Sequence, residues 1–187
     1  MMARASILVI ALGFAVPLGS DAMTVGMREE AAGGTNPATK TANWVEVKWP
    51  FPLDQWGTGR AFQCRDCGAE INLYLRAKLG FCNCTTGVAD DDELDRVGDL
   101  ELLSSKFTGL RDGRPIKIGW MNGRSRPYRV AIPYAAPRNA LAIAFNDKCD
   151  VVVATVVAEA VPVTERAALE FLNRDLVLRW VEKELGL

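Results

Sequence analysis

Apolar and polar residues alternate along much of this chain, and the period of two recurs in separate blocks. Val45, Val47, Trp49 and Phe51 alternate with Trp44, Glu46 and Lys48, the pattern of a half-buried strand. Pro50 and Pro52 place the end of that strand at a sheet edge or exit. Ile71, Leu73 and Leu75 repeat the alternation. Further on, Ile116, Ile118 and Trp120 face Tyr128, Val130 and Ile132 across Asn122-Gly123, a dipeptide that accepts positive φ and so predicts a hairpin turn. Asp112-Gly113 predicts a tight turn just before, and Pro127 an edge or bulge. Leu141, Ile143 and Phe145 alternate with Ala140, Ala142 and Ala144. After a turn at Asn146-Asp147-Lys148, Val151 to Val157 is nearly all apolar, as a central strand is.

Two segments carry a helical period instead. Asp90 to Leu103 opens with carboxylates, which favour the positive end of a helix dipole, and is apolar at Leu94, Val97 and Leu100. Glu165 to Leu185 has the longer stripe, through Leu169, Leu172, Leu176 and Trp180 and widened by Val177, Val181 and Leu185. Thr164 is its predicted N-cap, Gly186 its stop, and a break is expected near Asn173. Locally paired strands with few helices predict an α+β fold, an antiparallel sheet of hairpins covered on one face by the C-terminal helix. The order of elements is loosely similar to the PsbP/Mog1-like sheet-and-helix fold. The resemblance is one of layout, so it implies no function for this chain.

The N-terminus changes the setting. Arg4, an apolar run from Ala5 to Val16, Pro17 and Ser20-Asp21-Ala22 follow the three-part plan of a cleavable signal peptide over residues 1–22. The expected location is therefore periplasmic or secreted. Residues 23–43, with Gly33-Gly34 and Pro37, are read as a flexible leader, and 44–187 as a single domain. No later segment approaches the ~18 apolar residues of a spanning helix, so the mature form is not expected to span a membrane.

That compartment weighs on the cysteines. Cys64-Arg-Asp-Cys67 and Cys82-Asn-Cys84 form a four-cysteine group, and Cys149 stands alone. An oxidising compartment favours disulfides. Nested Cys64–Cys84 and Cys67–Cys82 bridges would suit an antiparallel ribbon, although spacing does not choose among three connectivities. The alternative is a thiolate site for Zn²⁺ or Cu(I) built from the same four residues, with Cys67-Gly68 shaped like a zinc knuckle. Thiol-redox chemistry is a further alternative, but a strand-like run, not a helix, follows the Cys-x-x-Cys. Cys149 reads as a buried thiol, an intermolecular bridge or an exchanged partner for the group.

The chain has no histidine, which removes His-based nucleophile activation, His-ligated zinc and covalent c-type haem. No glycine-rich phosphate loop or serine-nucleophile motif occurs, and no cofactor is expected. The acidic run Asp90-Asp91-Asp92-Glu93, with Asp95 and Asp99, offers oxygen ligands but lacks the spacing of a calcium loop. An enzyme built on paired carboxylates would require two acids facing across a cleft. Lys106 to Arg138 carries eight basic residues against one acid, in a chain of formal net charge −1. Arg124, Arg126 and Tyr128 share a strand face, with Arg111 and Arg114 at the neighbouring turn. This face predicts an exported or membrane protein with an acidic surface as partner, and no nucleic acid. Trp56, in a glycine-rich loop, is a candidate exposed contact. The reading is an exported, non-catalytic accessory or protein-binding domain.

Overall fold

In a computed structural model that describes residues 42–159 and 161–187, eight antiparallel strands form one sheet. The signal-peptide reading and the leader up to residue 41 lie outside the described residues. The strands are β1 (Trp44–Val47), β2 (Arg60–Cys64), β3 (Ile71–Lys78), β4 (Phe107–Gly109), β5 (Arg114–Ile118), β6 (Met121–Val130), β7 (Arg138–Asp147) and β8 (Asp150–Ala158). Their order is β1-β2-β3-β8-β7-β6-β4, and β5 also pairs with β6. The helices are α1 (Asp91–Val97), α2 (Val161–Leu172) and α3 (Asp175–Leu185), with a 3-10 turn at Leu100–Leu102.

The α+β expectation holds, but the sheet is covered on both faces. The large side of each hairpin strand, including Leu73, Leu141, Ile143, Phe145 and Val156, packs on Phe171, Leu172, Val177 and Val181 of α2 and α3. The small side, Ala140, Ala142 and Ala144 with Val151 and Val153, receives Leu94 and Val97 of α1 and Leu100. The alanines leave room for a short helix to lie close, and that helix is α1, not the C-terminal one. Strand β8, buried on both faces, is central, as its nearly all-apolar run requires.

Several local predictions shift. The β5–β6 turn is Gly119-Trp120, with Ile118 opposite Met121, and Gly119 has the positive φ of +56°. Asn122-Gly123 lies inside β6. There the ideal Cβ of a residue at 123 would sit 2.2 Å from the Ala144 carbonyl oxygen, so the glycine serves close strand approach and not a turn. Strand β1 ends at Val47, and its phase is reversed. Trp44 stacks on Phe171 at 4.4 Å between ring centroids, while Val45 and Val47 are 54% and 40% exposed. The helix packed beneath this edge decides which side is core. Trp49 and Phe51 fold over the opposite face onto Tyr74.

Pro127 sits where its missing N–H costs least. Its carbonyl accepts from Leu110 on the outer side of β6, the side to which its nitrogen also points, in the interval between β4 and β5. The C-terminal helix breaks at Asn173, whose side chain donates to the Leu169 carbonyl and accepts from the Gly119 N–H. The break resets the helical phase, which leaves Leu176 exposed while Val177, Val181 and Leu185 carry the stripe. Helix α2 starts at Val161, so Thr164 lies within its first turn and is not the cap.

Candidate functional site

Strand β3 presents its leucines to α2 and α3 and turns Asn72, Tyr74, Arg76 and Lys78 to the other face. Because α1 covers mainly β6, β7 and β8, the Arg76–Lys78 end of this polar row lies under the loop after β1 and the turn after α1. Asp99, in the joint between α1 and the 3-10 turn, reaches down to both cations. It accepts from Arg76 Nε at 2.9 Å and Nη2 at 2.7 Å, and lies 2.8 Å from Lys78 Nζ. Arg76 Nη1 also donates to both oxygens of Asp54 at 2.8 Å, and Lys78 donates to the Val97 carbonyl at 2.7 Å.

Arg76 and Asp99 are only 3% and 8% exposed at their side chains, so this is a buried charge cluster. Two cations meet two carboxylates, and their formal charges cancel. Burial opposes the charge on Arg76, yet the hydrogen bonds it donates to Asp99 and Asp54 outweigh it and hold its pKa above the ordinary value. Burial lowers that of Lys78, with Asp99 opposing the shift. The Arg76 guanidinium holds the Asp54 carboxyl below the usual carboxylate range.

Above the cluster is a cavity of about 530 Å³. Trp56 and Phe81 form one wall, 4.5 Å apart between ring centroids, and Leu100, Leu102 and Phe107 are apolar lining. Lys78 Nζ lies 5.5 Å from the Trp56 centroid and 5.2 Å from that of Phe81. The cavity gathers four acids, Asp54, Asp95, Asp99 and Glu101. Asp54 and Asp99 share one guanidinium, and Asp95 takes Arg126 and the Tyr128 hydroxyl. Carboxylates committed in this way orient and hold their cationic partners.

Of the predicted contact residues, only Trp56 lines this cavity. Arg124 and Arg126 do share a face with Tyr128, but α1 lies on that face. Arg124 pairs with Asp91, and Arg126 with Asp95 and Asp91. Tyr128 is buried and donates its hydroxyl to Asp95, which with burial raises its pKa. Arg111 and Arg114 turn to Glu165 of α2, which also accepts from the Ser125 hydroxyl. The acidic run thus caps α1 through Asp90, which accepts from the Glu93 N–H, and neutralises the basic strand. An acidic partner at this face would have to displace the chain's own carboxylates.

The cysteines separate. Cys64 stands opposite Ile71 at one end of β3, and Cys82 follows the other end. A strand rises about 3.3 Å per residue, so Ile71 and Lys78 are roughly 23 Å apart. Neither the nested bridges nor a site using Cys64, Cys67, Cys82 and Cys84 together is compatible with that span. The bridges are Cys64–Cys67 and Cys84–Cys149. Cys82, predicted to be bridged, is a buried free thiol, and Cys149 takes its place. The Cys82 N–H donates to the Cys149 carbonyl at 3.0 Å.

Burial, with Glu93 and Asp150 nearby, pushes the Cys82 thiol up to about 11. Native protein should therefore show one thiol that resists iodoacetamide at pH 7.5 and reacts fully in denaturant. Reduction should raise the intact mass by four hydrogens.

Comparison with protein-family models, curated proteins and solved structures gives no match. The layout likeness to the PsbP/Mog1-like fold therefore gains no support, and function rests on the site itself. Arg76 and Lys78 were not singled out in the sequence, although Tyr74, Arg76 and Lys78 carry the same period-two signal as Leu73 and Leu75, and Asp99 was considered only with the acidic run.

Proposed function

We propose that this chain is an exported, non-catalytic accessory domain that binds another protein at the Trp56 cavity. The observation that carries the reading is the cavity's construction. An aromatic wall stands over a floor of charges already paired with one another. Such a floor is fixed before any partner arrives, so little side-chain order is lost on binding. Partly exposed tryptophan is among the residues that most often anchor protein interfaces. The two disulfides suit an oxidising compartment. No helix of the described residues is long and apolar enough to cross a membrane.

Affinity co-purification from the exported fraction tests this with wild-type, Trp56→Ala and Lys117→Ala proteins. A partner retained by wild type and Lys117→Ala, and reduced about tenfold or more by Trp56→Ala, is the expected result. Equal recovery with all three contradicts it.

A second reading, handling of Zn²⁺ or Cu(I), draws on Cys64, Asp66 and Cys67, whose ligand atoms lie within 4.8 Å of one another. It requires the Cys64–Cys67 bridge to be reduced. Stoichiometric metal on protein isolated with both thiols free would favour it.

A further inference from the structure

The charges around the cavity restrict what it can receive. Each cation lining it is committed. Arg76 is held by Asp99 and Asp54, and Lys78 by Asp99 and the Val97 carbonyl. Arg96 donates to Glu93 at 2.7 and 2.9 Å and to the Phe81 carbonyl at 2.8 Å. Three of the four acids are committed as well. Glu101 is the remaining charged group, exposed and without a hydrogen bond or ion pair among the described residues. An anionic ligand would find Arg76 and Lys78 already held in a buried cluster, and Arg96, the exposed cation, already engaged by Glu93 and the Phe81 carbonyl. A cation finds a carboxylate whose engagement breaks nothing. Phe81 is already faced by Arg96 at 4.9 Å and Lys78 at 5.2 Å from its centroid, so the charge left to be met is that of Glu101.

The size and the walls extend the inference. A cavity of about 530 Å³ exceeds what one cationic head fills, and its other walls are Leu100, Leu102 and Phe107. Apolar walls beside the charge suit a polypeptide side chain with an apolar neighbour, which a small ion does not need.

Resting on the protein-binding reading above, we infer that the occupant is an arginine or lysine side chain beside an apolar residue of the partner polypeptide. Its charge sits against Glu101 and its apolar neighbour against Trp56. The partner's contacting segment is therefore basic, opposite in sign to the acidic surface expected from the Arg124–Arg126 strand.

The test is titration of full-length protein with acetyl-Leu-Arg-Leu-amide, and with the same peptide carrying Gln or Glu in place of Arg. The Trp56 indole N–H signal is followed by NMR and identified by its loss in Trp56→Phe. The arginine peptide should give a saturable shift and bind about three- to fivefold more tightly than the glutamine peptide, the size of an exposed ion pair. The glutamate peptide should bind more weakly than the glutamine one. Glu101→Gln should abolish the arginine-over-glutamine preference, and Glu70→Gln, outside the cavity, should leave it intact.

Equal binding of the arginine and glutamine peptides, preference for glutamate, or no shift at Trp56 would overturn the inference. So would binding of arginine amide alone as tightly as the tripeptide, since the occupant would then be a small cation. If no peptide binds while Trp56-dependent co-purification of a protein persists, this inference fails and the protein-binding reading stands.

Discussion

Replacing Asp99 with asparagine should destabilise the fold by about 3–5 kcal/mol, measured by chemical denaturation at neutral pH. The side chain keeps its shape, so the loss is one of charge. Arg76 and Lys78 lie almost wholly out of water and share this carboxylate. Without it, two buried cations are left with Asp54, which reaches Arg76 alone and is 38% exposed. The cost is the penalty of an uncompensated buried charge, not the value of the pair, and it can be relieved. Lys78→Met in the Asp99→Asn background should recover part of the loss, because a buried ion is replaced by an apolar chain of similar length. Asp54→Asn should cost much less, since water screens its contact. If Asp99→Asn cost no more than Asp54→Asn, the cluster would not be a buried, mutually dependent set.

The two disulfides should differ in worth. Cys84–Cys149 joins residues 65 apart in sequence, and Cys64–Cys67 residues 3 apart. On the chain-entropy model the longer loop restricts the unfolded chain more, giving about 4 kcal/mol against about 2 kcal/mol. The comparison is best made with Cys149→Ser and Cys67→Ser in a Cys82→Ser background, where no third thiol can exchange into the vacancy. Cys149→Ser should produce the larger fall in denaturation midpoint. The reverse order would indicate that the Cys84–Cys149 bridge adds little to the constraint already imposed by the β3–β8 ladder.

The strands were legible because alternation is imposed by the pleat, and the central β8 because both its faces are buried. What the sequence hid was set by packing at a distance. Trp44 and Val45 are both apolar, and only the placement of Phe171 beneath the edge decides which points inward. Asn122-Gly123 satisfies a turn rule, yet Gly119-Trp120 takes the turn, and Gly123 is needed where β6 approaches Ala144. The alanine face leaves room for a close helix but does not say which one fills it. The basic strand and the acidic run were each read as facing solvent. Their partnership across α1 involves contacts about 30 residues apart, which no local pattern reports.

The cysteines show most clearly where local pattern stops and tertiary distance decides. The alternation of Ile71, Leu73 and Leu75 between the pairs was itself the sign that an extended strand separates them. A strand that long cannot bring both ends to one metal or to nested bridges. The same stretch held the site. Arg76 and Lys78 looked like the polar half of an ordinary strand, and only the approach of Asp99 and the Trp56 loop makes them the floor of a cavity.

The central claim is that recognition occurs at this cavity and not at the arginine-rich strand. A photoreactive amino acid placed at position 56, and in parallel proteins at positions 117 and 124, tests it in cells that produce the chain. A discrete protein adduct from position 56 that is absent from 117 and 124 is the predicted result. An adduct from 124 with none from 56 would contradict it and return the binding face to the basic strand.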